Sequence, residues 1–204
     1  IGAATYVALQ KNIVGIVTRI LFGISVFLFC KYTTLGNHNY TIRRMRTAFD
    51  PNDASLQVRL ENQRRLKSYM ASRPFGGGIG SAGNWGMRFS PNTFLAQTPT
   101  DSWYVMIWAE QGVVGLTLHL FILFYIVIKS SYNIAFKLKN PWIKAQLGAL
   151  VSGMMGIMAA SYGNGVLGQM PTGIIMYSSM AFLFLGNKYE KELTLKNANY
   201  KSTN

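Results

Sequence analysis

Charge is the first thing this sequence is short of. Only 13% of its residues are Asp, Glu, Lys or Arg, where soluble domains carry about 25%. The deficit argues against an ordinary soluble globule. With half of the residues apolar, it argues against a disordered chain as well. Acids are scarcer still: seven Asp/Glu face twenty Lys/Arg, a formal net charge of +13. Cysteine occurs once, at Cys30, so no intrachain disulfide can form. That cysteine and the two histidines, His38 and His119, are far apart in the chain and offer no metal-ligand spacing. Zinc and iron–sulfur chemistry are therefore not expected. No short apolar segment with a small-residue cleavage site opens the chain, and its first residue is Ile1. The expectation is the C-terminal part of a longer protein.

What is present is gathered apolar residue. Four stretches stand out: Ile13 to Tyr32, Ser102 to Ile128, about Ile143 to Tyr162, and Met170 to Gly186. Each is near the roughly 20 residues that a helix needs to cross hydrocarbon. Residues 129–144 carry Lys129, Lys137, Lys139 and Lys144 without an acid, the tail carries Lys188, Lys191, Lys196 and Lys201, and 163–169 carries no charge. The positive-inside rule then places 129–142 and the tail in the cytoplasm and 163–169 outside. The long segment 33–101 also falls outside. It is itself basic, with nine Lys/Arg against three acids over 33–100, but loops beyond about 60 residues largely escape the rule. Tyr32, Trp103, Tyr104, Trp142, Tyr162 and Tyr189 sit near the span ends, as an aromatic belt does.

The predicted fold is an all-α polytopic membrane protein. Residues 1–32 hold the first transmembrane helix, 33–101 form a large extracytoplasmic loop, 102–186 hold three further transmembrane helices, and 187–204 form a cytoplasmic tail. Gly148 to Ser161 is rich in small residues, which suit close helix packing. A basic pI also raises nucleic acid as a partner, but the basic loop lies outside the cytoplasm, so no nucleic acid is expected.

Chemistry is expected in the external loop. Residues 54–72 read as a helix, with Asp53 as its N-cap and Pro74 as its stop. Leu56, Leu60, Leu66 and Met70 form an imperfect interfacial stripe. The helix either faces solvent and headgroups or uses Arg59, Arg64 or Arg65 to grip phosphate, since a guanidinium makes paired bonds to phosphate oxygens. Next comes Pro74-Phe-Gly-Gly-Gly-Ile-Gly80-Ser-Ala-Gly83. Its Gly78-x-Gly80-x-x-Gly83 fits a dinucleotide fingerprint in form only, because no βαβ unit surrounds it. It is a flexible turn, or a loop whose amides approach an anionic or sugar ligand.

Asp101 stands at the external mouth of the second span. It is an N-cap or an acid held at the membrane surface. On an unbroken helix Val105, Trp108, Gly112 and Gly115 share its face. Glu110 falls about 13 Å further along, on the opposite face. An intramembrane carboxylate is a functional candidate, or a partner for a base such as Arg19. His119 is placed far from Asp101, in a packed position. His38 lies near Arg43, and Asn39-Tyr-Thr41 matches a glycosylation acceptor.

From about Ser55 to Leu116 the chain resembles the bacterial O-antigen ligase and O-antigen polymerase family of membrane glycosyltransferases. The resemblance rests on order and spacing. Ser55-x-x-x-Arg59 on an external helix precedes the Pro74–Gly80 turn. A polar pair, Asp101-Ser102, is followed after nine residues by Gly112-Val-Val-Gly115. The ligases carry His-[Asn/Ser/Gln] before the same interval. Asp101 replaces that histidine, which tilts the resemblance toward the polymerases or a related branch. Arg65 and Gly76 also fit an Arg-x10-Gly spacing found in some polymerases.

The resemblance implies transfer of a polyprenyl-pyrophosphate-linked glycan to an acceptor sugar, as O-antigen polymerisation or as ligation to a lipid core. The setting is the outer face of the bacterial inner membrane, without metal or cofactor. It implies Asp101 as catalytic base or acceptor orienter, and Arg59, then Arg64 and Arg65, as pyrophosphate clamps. Gly77, Gly78 and Gly80 would shape the sugar site, and Gly112 and Gly115 would pack helices. Membrane lipids are the remaining expected partner. Two readings of other classes stand beside this one: a transporter or flippase fragment, and a non-catalytic membrane scaffold.

Overall fold

The computed structural model describes residues 13–32 and 54–203, and every regular element among them is helical. The elements are α1 (Ile13–Tyr32), α2 (Ala54–Met70), α3 (Gly83–Phe89), α4 (Phe94–Gln97), α5 (Trp103–Tyr132), α6 (Pro141–Gly163) and α7 (Thr172–Thr203). A π turn, Asn133–Lys137, extends α5, and a 3-10 turn, Val166–Gly168, precedes α7. Asp53, His38 and Asn39 lie outside the described residues, as does the side chain of Arg19.

Two helical runs, Trp103–Lys137 and Pro141–Gly163, are long and apolar enough to cross a membrane. α5, α6 and α7 pack together around Leu123 and Val127 of α5, Val151 and Met154 of α6, and Met176 and Leu183 of α7. Their outer faces stay apolar: Phe121, Ile128, Ile174 and Phe184 are all exposed. Such a continuous exposed apolar surface marks contact with lipid or another chain. The small residues of α6 act as expected where they meet neighbours, with Gly148, Ser152 and Ser161 buried. Leu147 of α6 lies so near Gly186 of α7 that a Cβ there would be 2.6 Å from its Cδ1.

The N-terminus of α6 is fixed twice. Asn140 Oδ1 accepts from the amides of Trp142 (2.9 Å) and Ile143 (3.3 Å), and Pro141 opens the helix. Glu190 of α7 adds its Oε1, which accepts from the amides of Lys139 and Asn140 at 2.6 Å each. The acid reaches these bonds because α7 does not stop at Gly186. It continues through the segment expected as a tail, to Thr203.

α2, α3 and α4 form a second, smaller cluster on the first turns of α5. Leu66, Met70, Ala82, Leu95 and Ala109 are buried there, and Tyr69 stacks on Phe94 at 4.5 Å between centroids. The buried face of α2 differs from the expected stripe. Of that stripe Leu56, Leu66 and Met70 turn inward while Leu60 is exposed, and the inward face runs Leu56, Arg59, Asn62, Gln63, Leu66, Tyr69, Met70. That spacing is helical, but its middle, Arg59, Asn62 and Gln63, is polar, so hydrophobicity alone could not trace it.

α5 is not one straight helix. Gly112 has φ 68° and ψ −170°, which breaks the helix between Gln111 and Val113. The bend is sharp: Trp103 Nε1 donates to His119 Nε2 at 3.3 Å, although the two are 16 residues apart. On a straight helix they would be separated by about 24 Å of rise. The expectation that Asp101, Val105, Trp108, Gly112 and Gly115 share one face therefore fails beyond Gly112. His119 is also brought back toward the mouth of the helix.

Candidate functional site

Asp101 does not cap α5. Ser102 is the N-cap residue, and Asp101 precedes it. Ser102 Oγ donates to the Ser161 carbonyl (3.2 Å), the Trp103 amide to the Asn164 carbonyl (3.2 Å), and Tyr104 Oη to the Met158 carbonyl (2.8 Å). These bonds fasten the start of α5 to the end of α6. The Trp103 ring lies where a Cβ on Gly168 would be. With Ser102 and Trp103 so held, the Asp101 carboxylate turns to α2.

There it meets Arg59: Arg59 Nε lies 3.5 Å from Asp101 Oδ2. The side chains are 36% and 46% exposed, so the pair is open to water and contributes at most about 0.2–1 kcal/mol to stability. A pair this weak does not explain the fold. It leaves a cation and a carboxylate side by side at the rim of a small cleft. Arg59, Asn62 and Gln63 of α2 line one side; Pro99, Asp101, Ser102 and Val105 line the next; Tyr162 and Gly163 of α6 close it. The cleft encloses about 20 Å³, room for about one water.

The structure brings only part of the expected set together. Arg64 and Arg65 face the other side of α2, both against Glu61, at 3.9 Å and 3.2 Å. Neither lines the cleft. Asn62, Gln63 and Tyr162 line it without having been expected to. Asn62 and Gln63 had a signal, being three and four residues on from Arg59. Tyr162 had none beyond its place in the aromatic belt.

The glycine turn goes elsewhere. Gly77 and Gly78 donate their amides to the carbonyls of Ala109 and Glu110 (2.9 Å each), and the Pro74 carbonyl accepts from the Val114 amide (3.2 Å). In an unbroken helix those two carbonyls would serve the amides of Val113 and Val114. The loop thus supplies partners that the break at Gly112 removes. The fit is backbone against backbone: a Cβ on Gly112 would lie 2.5 Å from the Gly76 nitrogen. Gly80 has positive φ and lies beside Trp85. Gly112 is therefore a loop-receiving break rather than a helix-packing glycine. Gly115 is covered by the Gln111 side chain.

Glu110 belongs to this junction. It is 7% exposed, and its Oε1 accepts from the Ala82 amide at 3.4 Å. The carboxylate holds the far end of the glycine loop while the Glu110 carbonyl holds Gly78. Among the described residues no group of three or more His, Cys, Asp or Glu is placed to hold a metal ion. Comparison of the chain with protein-family models, curated proteins and solved structures finds no match.

Proposed function

We propose that this chain carries the acceptor-activating part of a multi-pass membrane glycosyltransferase. It acts at the outer face of a bacterial inner membrane, on a glycan linked through pyrophosphate to a polyprenyl lipid. The four long helices α1, α5, α6 and α7 are its crossings. The observation that carries the reading is the pairing of Arg59 with Asp101 at the mouth of α5. A cation for a pyrophosphate and a base for a hydroxyl converge from segments that are distant in the chain.

In the step we infer, the pyrophosphate of the donor takes the Arg59 guanidinium away from Asp101. The freed carboxylate then accepts the proton of an acceptor sugar hydroxyl. The hydroxyl oxygen attacks the anomeric carbon and forms the new glycosidic bond. The bond from that carbon to the phosphate oxygen breaks, and polyprenyl pyrophosphate leaves with the electron pair. Tyr162, Asn62 and Gln63 offer hydrogen bonds to the sugar at the rim.

The broken helix favours a transporter reading, since transporters bind substrate at unwound helices. In such sites the freed backbone groups face the substrate. Here the Ala109 and Glu110 carbonyls and the Val114 amide are taken by the loop. That occupancy supports a structural break and leaves the glycosyltransferase reading ahead.

The test is transfer in bilayers by the full-length protein, with a synthetic polyprenyl-pyrophosphate oligosaccharide and a sugar acceptor. Arg59→Lys and Asp101→Asn should each lower product by tenfold or more while protein levels hold. Normal transfer in both variants overturns the catalytic assignment. In the host, loss of the gene should leave single-repeat glycan on the lipid core for a polymerase. Long glycan stranded on the carrier marks a ligase.

A further inference from the structure

The segment after Met70 exposes apolar side chains that nothing in the cleft uses. Phe75 is 74% exposed, Ile79 86% and Phe89 70%, and Trp85 and Met87 are also exposed. Trp85 and Phe89 stack in parallel at 5.9 Å, on one side of α3. Arg88 lies 6.0 Å from the Trp85 ring and 5.5 Å from that of Phe89. Arg73 stacks 3.9 Å over Tyr69. Between Glu61 and Asp101 there is no acid at all. The patch is thus apolar at its tips and cationic along its edge.

Its position comes from the junction described above. Pro74, Gly77 and Gly78 are hydrogen-bonded to Val114, Ala109 and Glu110. Val113, Val114 and Leu118 of α5 are themselves exposed and apolar. The loop is therefore stitched to α5 at the level where that helix begins to show hydrocarbon-seeking residues. Phe75 and Ile79 flank the loop amides bonded to that helix and are exposed as well. Backbone is tolerated at that depth only when its polar groups are satisfied, and the loop satisfies the Ala109 and Glu110 carbonyls and the Val114 amide.

We propose that Phe75–Phe89 inserts into the outer leaflet of the bilayer as an interfacial wedge, held by anionic phospholipid headgroups. The partner is the lipid surface itself. Aromatic residues favour the interface, and arginine stems lie along apolar surface while their heads reach phosphate. The proposal rests on the membrane-spanning part of the reading above and not on glycan transfer.

The test uses the full chain in bilayers of phosphatidylglycerol with brominated phosphatidylcholine. Tryptophan emission is compared between the parent and Trp85→Phe. The parent should show a bromolipid-quenched component that Trp85→Phe loses. Arg88→Glu should weaken that quenching in phosphatidylglycerol bilayers and leave it unchanged in phosphatidylcholine alone. Trp85 emission quenched by aqueous iodide and not by bromolipid overturns the proposal. So does shielding from both quenchers, which would mean that protein covers the patch. Phe121→Trp on α5 serves as the control for the span. If it is quenched by bromolipid and Trp85 is not, the wedge fails while the membrane reading stands.

Discussion

Gly76 and Gly112 meet backbone to backbone, although 36 residues separate them in sequence. A Cβ added to Gly76 would lie 2.5 Å from the Gly112 nitrogen, and one added to Gly112 would lie 2.5 Å from the Gly76 nitrogen. Both have positive φ, 81° and 68°. Each glycine is required twice, by conformation and by contact.

Gly76→Ala and Gly112→Ala should therefore cost more than the about 1–3 kcal/mol expected for a side chain in a sparsely populated backbone region alone, because backbone must also shift. Gly78→Ala has the same kind of φ, 105°, but open space around it, so it should cost only the conformational part. Gly153→Ala, on a helix with nothing nearby, should be neutral or stabilising by up to about 1 kcal/mol. Thermal melts of the purified protein should rank the four in that order.

The Arg59–Asp101 pair separates structure from chemistry. Its exposure limits its worth, so exchanging the charges with Arg59→Asp and Asp101→Arg together should preserve the melting temperature. Transfer should not return, because neither the clamp nor the base is then in place. Recovery of activity in the exchanged protein would show that only the ion pair matters.

Glu110→Gln keeps an acceptor for the buried Ala82 amide, whereas Glu110→Leu does not. The leucine variant should lose about 1–3 kcal/mol, the cost of an unsatisfied buried donor, and the glutamine variant much less. Hydrogen exchange at the Ala82 amide should rise in the leucine variant alone. Equal stability of the two would show that the carboxylate does not hold the loop.

Trp103→Phe retains a ring against Gly168 but cannot donate to His119. The expected loss is about 0.5–1.5 kcal/mol. Trp103→Ala should cost about 3–5 kcal/mol, since the ring also packs against Gly168. Denaturation in detergent should show that gap.

The long helices were legible because run length and turn residues are local: Tyr32 ends α1, Pro74 follows α2, and Pro141 opens α6 close to where the apolar runs suggested. The break in α5 was not legible. Gly112-Val-Val-Gly115 inside an apolar run reads as a packing motif, and only the distant Pro74–Gly78 loop makes a bend affordable. The cleft was half legible. Arg59 and Asp101 stood out singly as charge beside a span, but no spacing says that they touch. Arg64 and Arg65 looked equivalent to Arg59 because neighbouring arginines differ only in the face that α2 buries. Expecting Gly77 and Gly78 to serve sugar overlooked a nearer partner for their amides, the Ala109 and Glu110 carbonyls of the helix beside them.

The loop's hydrogen bonds also tie the shape of α5 to the segment before it. On the membrane reading, α5 without its loop would present the Ala109 and Glu110 carbonyls and the Val114 amide to hydrocarbon, each at a cost of several kcal/mol. A straight helix avoids that cost, so the bend and the docked loop stand or fall together. A variant whose loop cannot dock should carry a longer, straighter rod with Trp103 and His119 at opposite ends of a 16-residue gap.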